Sequence, residues 1–417
     1  MPWLFVRAFG PAILTGTVVS VGSGALRISL LPSLTGVYSV QAIVTYSAPV
    51  PADLFPLSTH QLPAPYYEGY MLRDFPLDLI VDSSSIEANA YAQSDPCKVE
   101  DLTFLAPDAA LWKRAFWAVN TVNSHLPFSI QHSRNVTLQG YQSGRHSLGF
   151  SASYRYGSGC ALLDITSATA TCAPQHKQQV THVLMVGDSV MRLQYDYLVE
   201  HLDPQRFQIS FVELYGGYWL CKRKTGPFIT ELLSYSAEAK DTVLLFNTGM
   251  HDIHRLCGHS FDEERPTYLN ATELTLPCTT VYRNALRDAL GILQQIPAAV
   301  RLFQTTHAAW PKFGNYGIAW DPRHAQTLPL DSAICERFNA IAVEEVMNAN
   351  ARANTAAEIY YMVDTYWMTL ARPDNRETNA KMDIGKKLSH PGPEVVHYMV
   401  QVWWQAAMAL LGGACGA

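Results

Sequence analysis

Apolar and polar positions alternate along the first part of the chain. In Gly36–Tyr46, Tyr38, Val40, Ala42, Val44 and Tyr46 fall on one face and Ser39, Gln41 and Thr45 on the other, the period of two that marks a half-buried strand. Leu26–Leu31 predicts a partner strand. Residues 8–26 carry no charge, but Gly, Ser, Thr and Pro interrupt them, so they predict core strands rather than a membrane span. A Pro-rich run over 49–65 ends the regular pattern. Residues 1–95 therefore predict a small β-sandwich. Residues 96–175 are mixed: Ala109–Val122 predicts an amphipathic helix, and Ser143–His146 and Tyr154–Cys160 predict loop and short-strand material.

From about residue 180 the pattern changes to strand, helix, strand. Strands are predicted at Thr181–Val186, Arg206–Leu214, Thr242–Asn247, Val300–Thr306 and Ile359–Val363. Helices are predicted at Val190–Leu202, Val281–Gln295, Asp331–Asn348 and Pro393–Leu411. In the second of these, Val281, Ala285, Leu286, Ala289, Leu290 and Leu293 share one face. Such alternation predicts an α/β domain over 96–417, with a core at 180–412 built on a parallel sheet flanked by helices. In such folds the active site lies at the carboxyl ends of the strands.

Composition narrows the function classes. Of 417 residues, 48% are hydrophobic and 16% charged, against about 25% charged in an average domain, so the chain can bury large cores. A formal net charge of -6 without a basic block excludes a phosphate-tracking nucleic-acid binder. Eight Cys are spread without zinc-ribbon spacing, and two glycosylation sequons occur, Asn135-Val-Thr137 and Asn270-Ala-Thr272; together they predict passage through the secretory pathway. Any membrane association would rest on a weak or missing N-terminal anchor.

The chemistry concentrates in three places. Val183–Val186 leads into Gly187-Asp188-Ser189 and at once into a helical pattern. That order presents the Ser189 hydroxyl at a sheet edge with the helix's free N–H groups beside it. A nucleophilic serine needs a base, and His390, held in Ser389-His-Pro-Gly-Pro393 just before the last helix, is the candidate. Between them, Leu244-Leu-Phe-Asn247-Thr-Gly249-Met-His251 carries a strand into a turn. There Asn247, the Gly249 N–H or His251 can donate to an oxyanion. His251, His254, Cys257 and His259 offer a metal alternative, but no familiar zinc spacing fits; no metal and no cofactor are expected.

These blocks resemble the SGNH/GDSL hydrolase superfamily, and within it the PC-esterase branch of the trichome-birefringence-like and NXPE proteins. Gly187–Gln194 is similar to that branch's GDSxxRNQ run, Arg192 and Gln194 included, with Leu193 departing from it. Phe246–Gly249 matches its FNTG block. Gly144-Arg145 and Tyr154–Leu162 resemble the segment ahead of the nucleophile, and Asp364–Thr369 the strand end ahead of the catalytic His. Gly36–Val40 looks like the filamin/Ig-type module that precedes the NXPE catalytic domain.

The resemblance implies a flavodoxin-like five-stranded sheet and a Ser-His-Asp esterase or acetyltransferase acting on O-acetyl groups of glycans, with an acetyl donor if it is a transferase. Ser189 would be the nucleophile, His390 the base, and Asp188 a support for the turn. The family places Asp three residues before the His; here Lys387 stands there. Asp383 is the compensating carboxylate, with Asp364, a Ser-His dyad or an inactive glycan-binding scaffold as alternatives. His251 takes the Asn position of the superfamily's GxND block, and Gly216 or Gly217 fits its Gly donor. The aromatic run Thr306–Trp320 and Trp219 are the candidate sugar-stacking residues.

Overall fold

The computed structural model describes residues 3–46, 67–82, 95–106, 115–122, 150–165, 180–214, 242–253, 270–308, 332–372 and 390–412, together with Ser167, Gly216, Gly217, Leu232, Ser234 and Leu256. The Pro-rich run, Asn135, Gly144-Arg145, Trp219, His254, Cys257, His259, residues 309–320, Asp383 and Lys387 lie outside them.

The first sheet is antiparallel. Its strands are β1 (Trp3–Phe9), β2 (Ala12–Gly22), β3 (Ala25–Ser29), β4 (Gly36–Tyr46), β5 (Tyr67–Met71), β6 (Leu77–Val81), β7 (Ala115–Val122) and β8 (Phe150–Tyr156). They join along the path β5-β4-β1-β2-β7-β8, with β3 on β2 and β6 on β4. One cluster takes Val6, Ala8, Leu14, Tyr38, Val40, Ala42, Val44, Phe116 and Ala118. The alternate positions Phe5 and Ile43 join the cluster of the second sheet, as do Ile13, Trp117 and Tyr154 on that sheet's other side.

Two expectations change here. The segment 109–122 supplies a strand rather than a helix: Phe116 and Ala118 go to one cluster and Trp117 to the other, a period of two that pairing with β2 and β8 fixes. Residues 1–95, expected as a small β-sandwich, supply six strands of one eight-stranded sheet. Because β7 and β8 belong to it, the sheet crosses the expected boundary at 95/96.

The second sheet has five parallel strands: β9 (Thr181–Gly187), β10 (Phe207–Glu213), β11 (Thr242–Asn247), β12 (Val300–Gln304) and β13 (Tyr360–Val363), in the order β10-β9-β11-β12-β13. Read in chain order this is 2-1-3-4-5, and the direction of winding reverses between β9 and β11. The helices are α1 (Val99–Leu102), α2 (Ser189–His201), the single turn α3 (Met250–Asp252), α4 (Cys278–Leu293), α5 (Ser332–Asn350), α6 (Tyr366–Leu370) and α7 (Pro393–Gly412).

Side chains of α2 and α7 share a buried cluster with Val183, Met185, Leu245 and Leu302. Those of α4 and α5 share the other with Leu184, Val186, Phe246 and Phe303. The chain is mixed α/β. Strands buried on both faces read as unbroken apolar runs, and β11 is buried at every position.

Covalent and polar links close the structure. A Cys97–Cys160 disulfide ties the segment before α1 to the end of β8, and Cys278 at the head of α4 is also disulfide-bonded. Buried Arg301 donates to the carbonyls of Leu293 (2.9 Å), Ile296 (2.6 Å) and Ala357 (2.9 Å), satisfying acceptors that the end of α4 leaves open. Among the described residues no helix is long and apolar enough to cross a membrane.

Candidate active site

The apolar run of β9 ends at Gly187, where a Cβ would sit 2.9 Å from the Met191 Cβ; only glycine lets the chain turn so tightly into α2. Asp188 is the N-cap. Its Oδ1 accepts from the N–H groups of Val190 (2.9 Å) and Met191 (3.4 Å), as a capping carboxylate does. Ser189 is the first residue of α2, so its hydroxyl stands at the carboxyl edge of the sheet, beside the positive end of the helix.

The last helix supplies the partner. Pro393 opens α7, a position that suits its fixed φ, and His390 lies in the turn before it. The Ser189 Oγ and the His390 Nε2 are 2.7 Å apart. Both side chains are half-buried. The pair lies at the β9 edge of the switch between β9 and β11, the place where open parallel sheets bind ligands.

Asp188 is wholly enclosed. Burial pushes its carboxyl up to about 6, against the pull of the Val190 and Met191 N–H groups, and the nearby charge of Asp252 adds to the rise. Asp252, buried in α3, accepts from the Thr248 hydroxyl and from the Gly217 N–H at 3.0 Å. The Gly217 N–H also reaches the Thr248 Oγ1 at 2.6 Å. Gly217 therefore serves to hold the β11 turn, with its N–H directed at Thr248 and Asp252. Gly216 has φ +109, and a Cβ there would meet the Asp252 Oδ1 at 2.7 Å.

The other candidates are placed as follows. Asn247 is buried at the end of β11, and its Nδ2 donates to the Gln304 carbonyl at 3.3 Å. Gly249, with φ +136, is the N-cap of α3, and His251 is half-buried within that turn. Arg192 forms a surface ion pair with Glu213 on β10 at 3.1 Å; it braces α2 against its neighbouring strand. Asp364 lies just ahead of α6, its Oδ1 accepting from the Tyr366 N–H at 3.0 Å and the Thr305 Oγ1 at 3.2 Å. Ser189 and His390 are thus joined directly, and Asp188, Asn247 and Gly249 lie at the carboxyl ends of β9 and β11.

Sequence reasoning missed the threonine stitching of this edge. The Thr306 Oγ1 donates to the Thr248 carbonyl at 2.5 Å and the Thr365 Oγ1 to the Thr305 carbonyl at 2.5 Å. Asn339 of α5 bonds both the N–H and the carbonyl of Thr306, at 2.7 and 2.8 Å. Gln194 was named only as part of the Gly187–Gln194 run; the structure shows its Oε1 accepting from the Trp403 Nε1 at 3.0 Å, which locks α2 to α7. A polar residue on the inner stripe of an apolar helix was the available signal. Among the described residues no group of His, Cys, Asp and Glu is arranged to hold a metal ion.

No family model matches the chain, and no curated protein matches it.

Proposed function

We propose that the chain is a serine esterase or O-acyltransferase of the SGNH, PC-esterase type, acting on acetylated glycans in the secretory pathway. The observation that carries this reading is the 2.7 Å contact between the Ser189 Oγ and the His390 Nε2 at the N-terminus of α2. A serine hydroxyl becomes a competent nucleophile when an imidazole takes its proton.

In this reaction the Ser189 Oγ attacks the acetyl carbonyl carbon as its proton passes to the His390 Nε2. The carbonyl π electrons move onto oxygen, and the oxyanion is met by the Ser189 N–H at the positive end of α2. Collapse expels the sugar alkoxide, which takes the proton from Nε2. The acyl-Ser189 is then released to water in an esterase, or to a second sugar hydroxyl in a transferase, by the reverse proton path. Asp188 holds the turn by capping α2. Asp383 remains the proposed carboxylate behind His390. Exposure of Asn270 and disulfide bonding at Cys97, Cys160 and Cys278 support the proposed compartment.

The test uses p-nitrophenyl acetate and a fluorophosphonate probe on the purified chain, with Ser189→Ala beside it. Turnover and labelling that vanish in Ser189→Ala are expected. A folded wild-type chain that neither labels nor turns over would overturn the proposal and leave the glycan-binding scaffold, which Lys387 at the family's Asp position favours.

A further inference from the structure

Glu394 lies in the first turn of α7, one turn beyond His390. One of its carboxylate oxygens accepts from the Ala152 N–H on β8 at 2.9 Å, and the other from the Arg372 Nη2 at 2.7 Å. The Arg372 side chain is 0% exposed. Its guanidinium stands 4.6 Å from the centre of the Trp117 ring on β7, and the Trp117 Nε1 donates to the Met368 carbonyl of α6 at 2.9 Å. A single carboxylate therefore joins three elements: the start of α7, the end of α6 and the antiparallel sheet.

Two physical points give this junction a direction. A guanidinium taken out of water is costly unless paired, so Arg372 holds Glu394 in one place; burial lowers the Arg372 pKa, and the Glu394 carboxylate works against that effect. Among the described residues β8 is the terminal strand of its path, and an edge strand presents N–H groups that no further strand satisfies. Glu394 takes one of them. The two bonds tie the head of α7 to β8 and to the residue that follows α6, and the backbone that they fix is the one that carries His390.

We infer that Glu394 is a positioning residue for His390. Anchored by Arg372 and by the edge of β8, it sets the imidazole's reach to Ser189 and makes the antiparallel sheet part of the active site's support. The activity arm of the test rests on the serine reading above; a second arm does not.

Glu394→Gln keeps the shape and removes the charge, and Glu394→Asp keeps the charge and shortens the reach. In both, kcat for p-nitrophenyl acetate per mole of folded protein is expected to fall about tenfold with KM within about twofold, and fluorophosphonate labelling should slow in parallel. A bond that serves stability alone would lower the melting temperature and leave kcat per folded molecule at the wild-type value, which would overturn the inference. Hydrogen–deuterium exchange on the same samples supplies the second arm. Peptides covering 390–396 and 150–156 are expected to exchange faster together in Glu394→Gln. If the wild type proves inactive, the serine reading fails by itself, and unchanged exchange in both segments would still overturn the positioning role. Should Glu394→Gln not fold, Glu394→Asp carries both arms.

Discussion

Ser189 and His390 are separated by 201 positions in the chain and by 2.7 Å in space. One follows the first strand of the parallel sheet and the other precedes the last helix, with β10, β11, β12 and β13 between them in the chain. Replacing His390 by Gln removes the proposed proton acceptor and leaves most of the buried core untouched. We expect kcat/KM on p-nitrophenyl acetate to drop by roughly four orders of magnitude with little change in melting temperature. Retained turnover would assign the base elsewhere.

Gly249 is a structural requirement rather than a convenience. Its φ is +136, and a Cβ there would lie 2.0 Å from the Thr306 Oγ1, a hydroxyl already bonded to the Thr248 carbonyl at 2.5 Å. Gly249→Ala is expected to destabilise the fold by about 3 kcal/mol or more in urea denaturation. Adding Thr306→Ser leaves the hydroxyl and the strain in place and should recover little. Thr306→Ala removes the clash and should recover part of the loss. Additive costs in the double variant would mean that the close approach does not matter.

Asp188 gives stability a pH dependence. Its carboxyl is raised from 3.8 to about 6 by burial, so between those values the folded chain holds a proton that the unfolded chain has released. The native state is therefore favoured below about pH 4, and this contribution is lost as pH rises through 6, by about 3 kcal/mol in total. Asp188→Asn keeps a capping side chain and removes the titration. The variant's stability relative to wild type should climb between pH 4 and 6 and then level off. Parallel curves in chemical denaturation at stepped pH would contradict this.

Asn270 is exposed at the head of the short turn Glu273–Thr275, where its side chain accepts from the Glu273 N–H at 2.8 Å. Expressed through a secretory route, the chain should shift in mass on endoglycosidase treatment, and Asn270→Gln should remove part of that shift. A wild-type mass unaltered by the enzyme would argue against the proposed compartment.

Much of the parallel sheet was legible because its strands are continuous apolar runs and its helices carry an apolar stripe; β11 spans the predicted residues. The pairing of Ser189 with His390 was legible because each sits at a junction that the pattern itself marks. Trp117 shows where such reading fails. Its neighbours alternate between two cores, one on each side of the sheet, so apolar residues stand at consecutive positions and the period of two is hidden. Arg372 and Glu394 were illegible for another reason. A buried ion pair is a tertiary contact, and nothing in its two short local sequences separates it from surface charge.

The strand order β10-β9-β11-β12-β13 also bears on how the molecule comes into being. Parallel neighbours need long crossovers, and such non-local pairing slows assembly. During synthesis Ser189 emerges 201 residues before His390, so their contact can form only after every strand of the parallel sheet has been made.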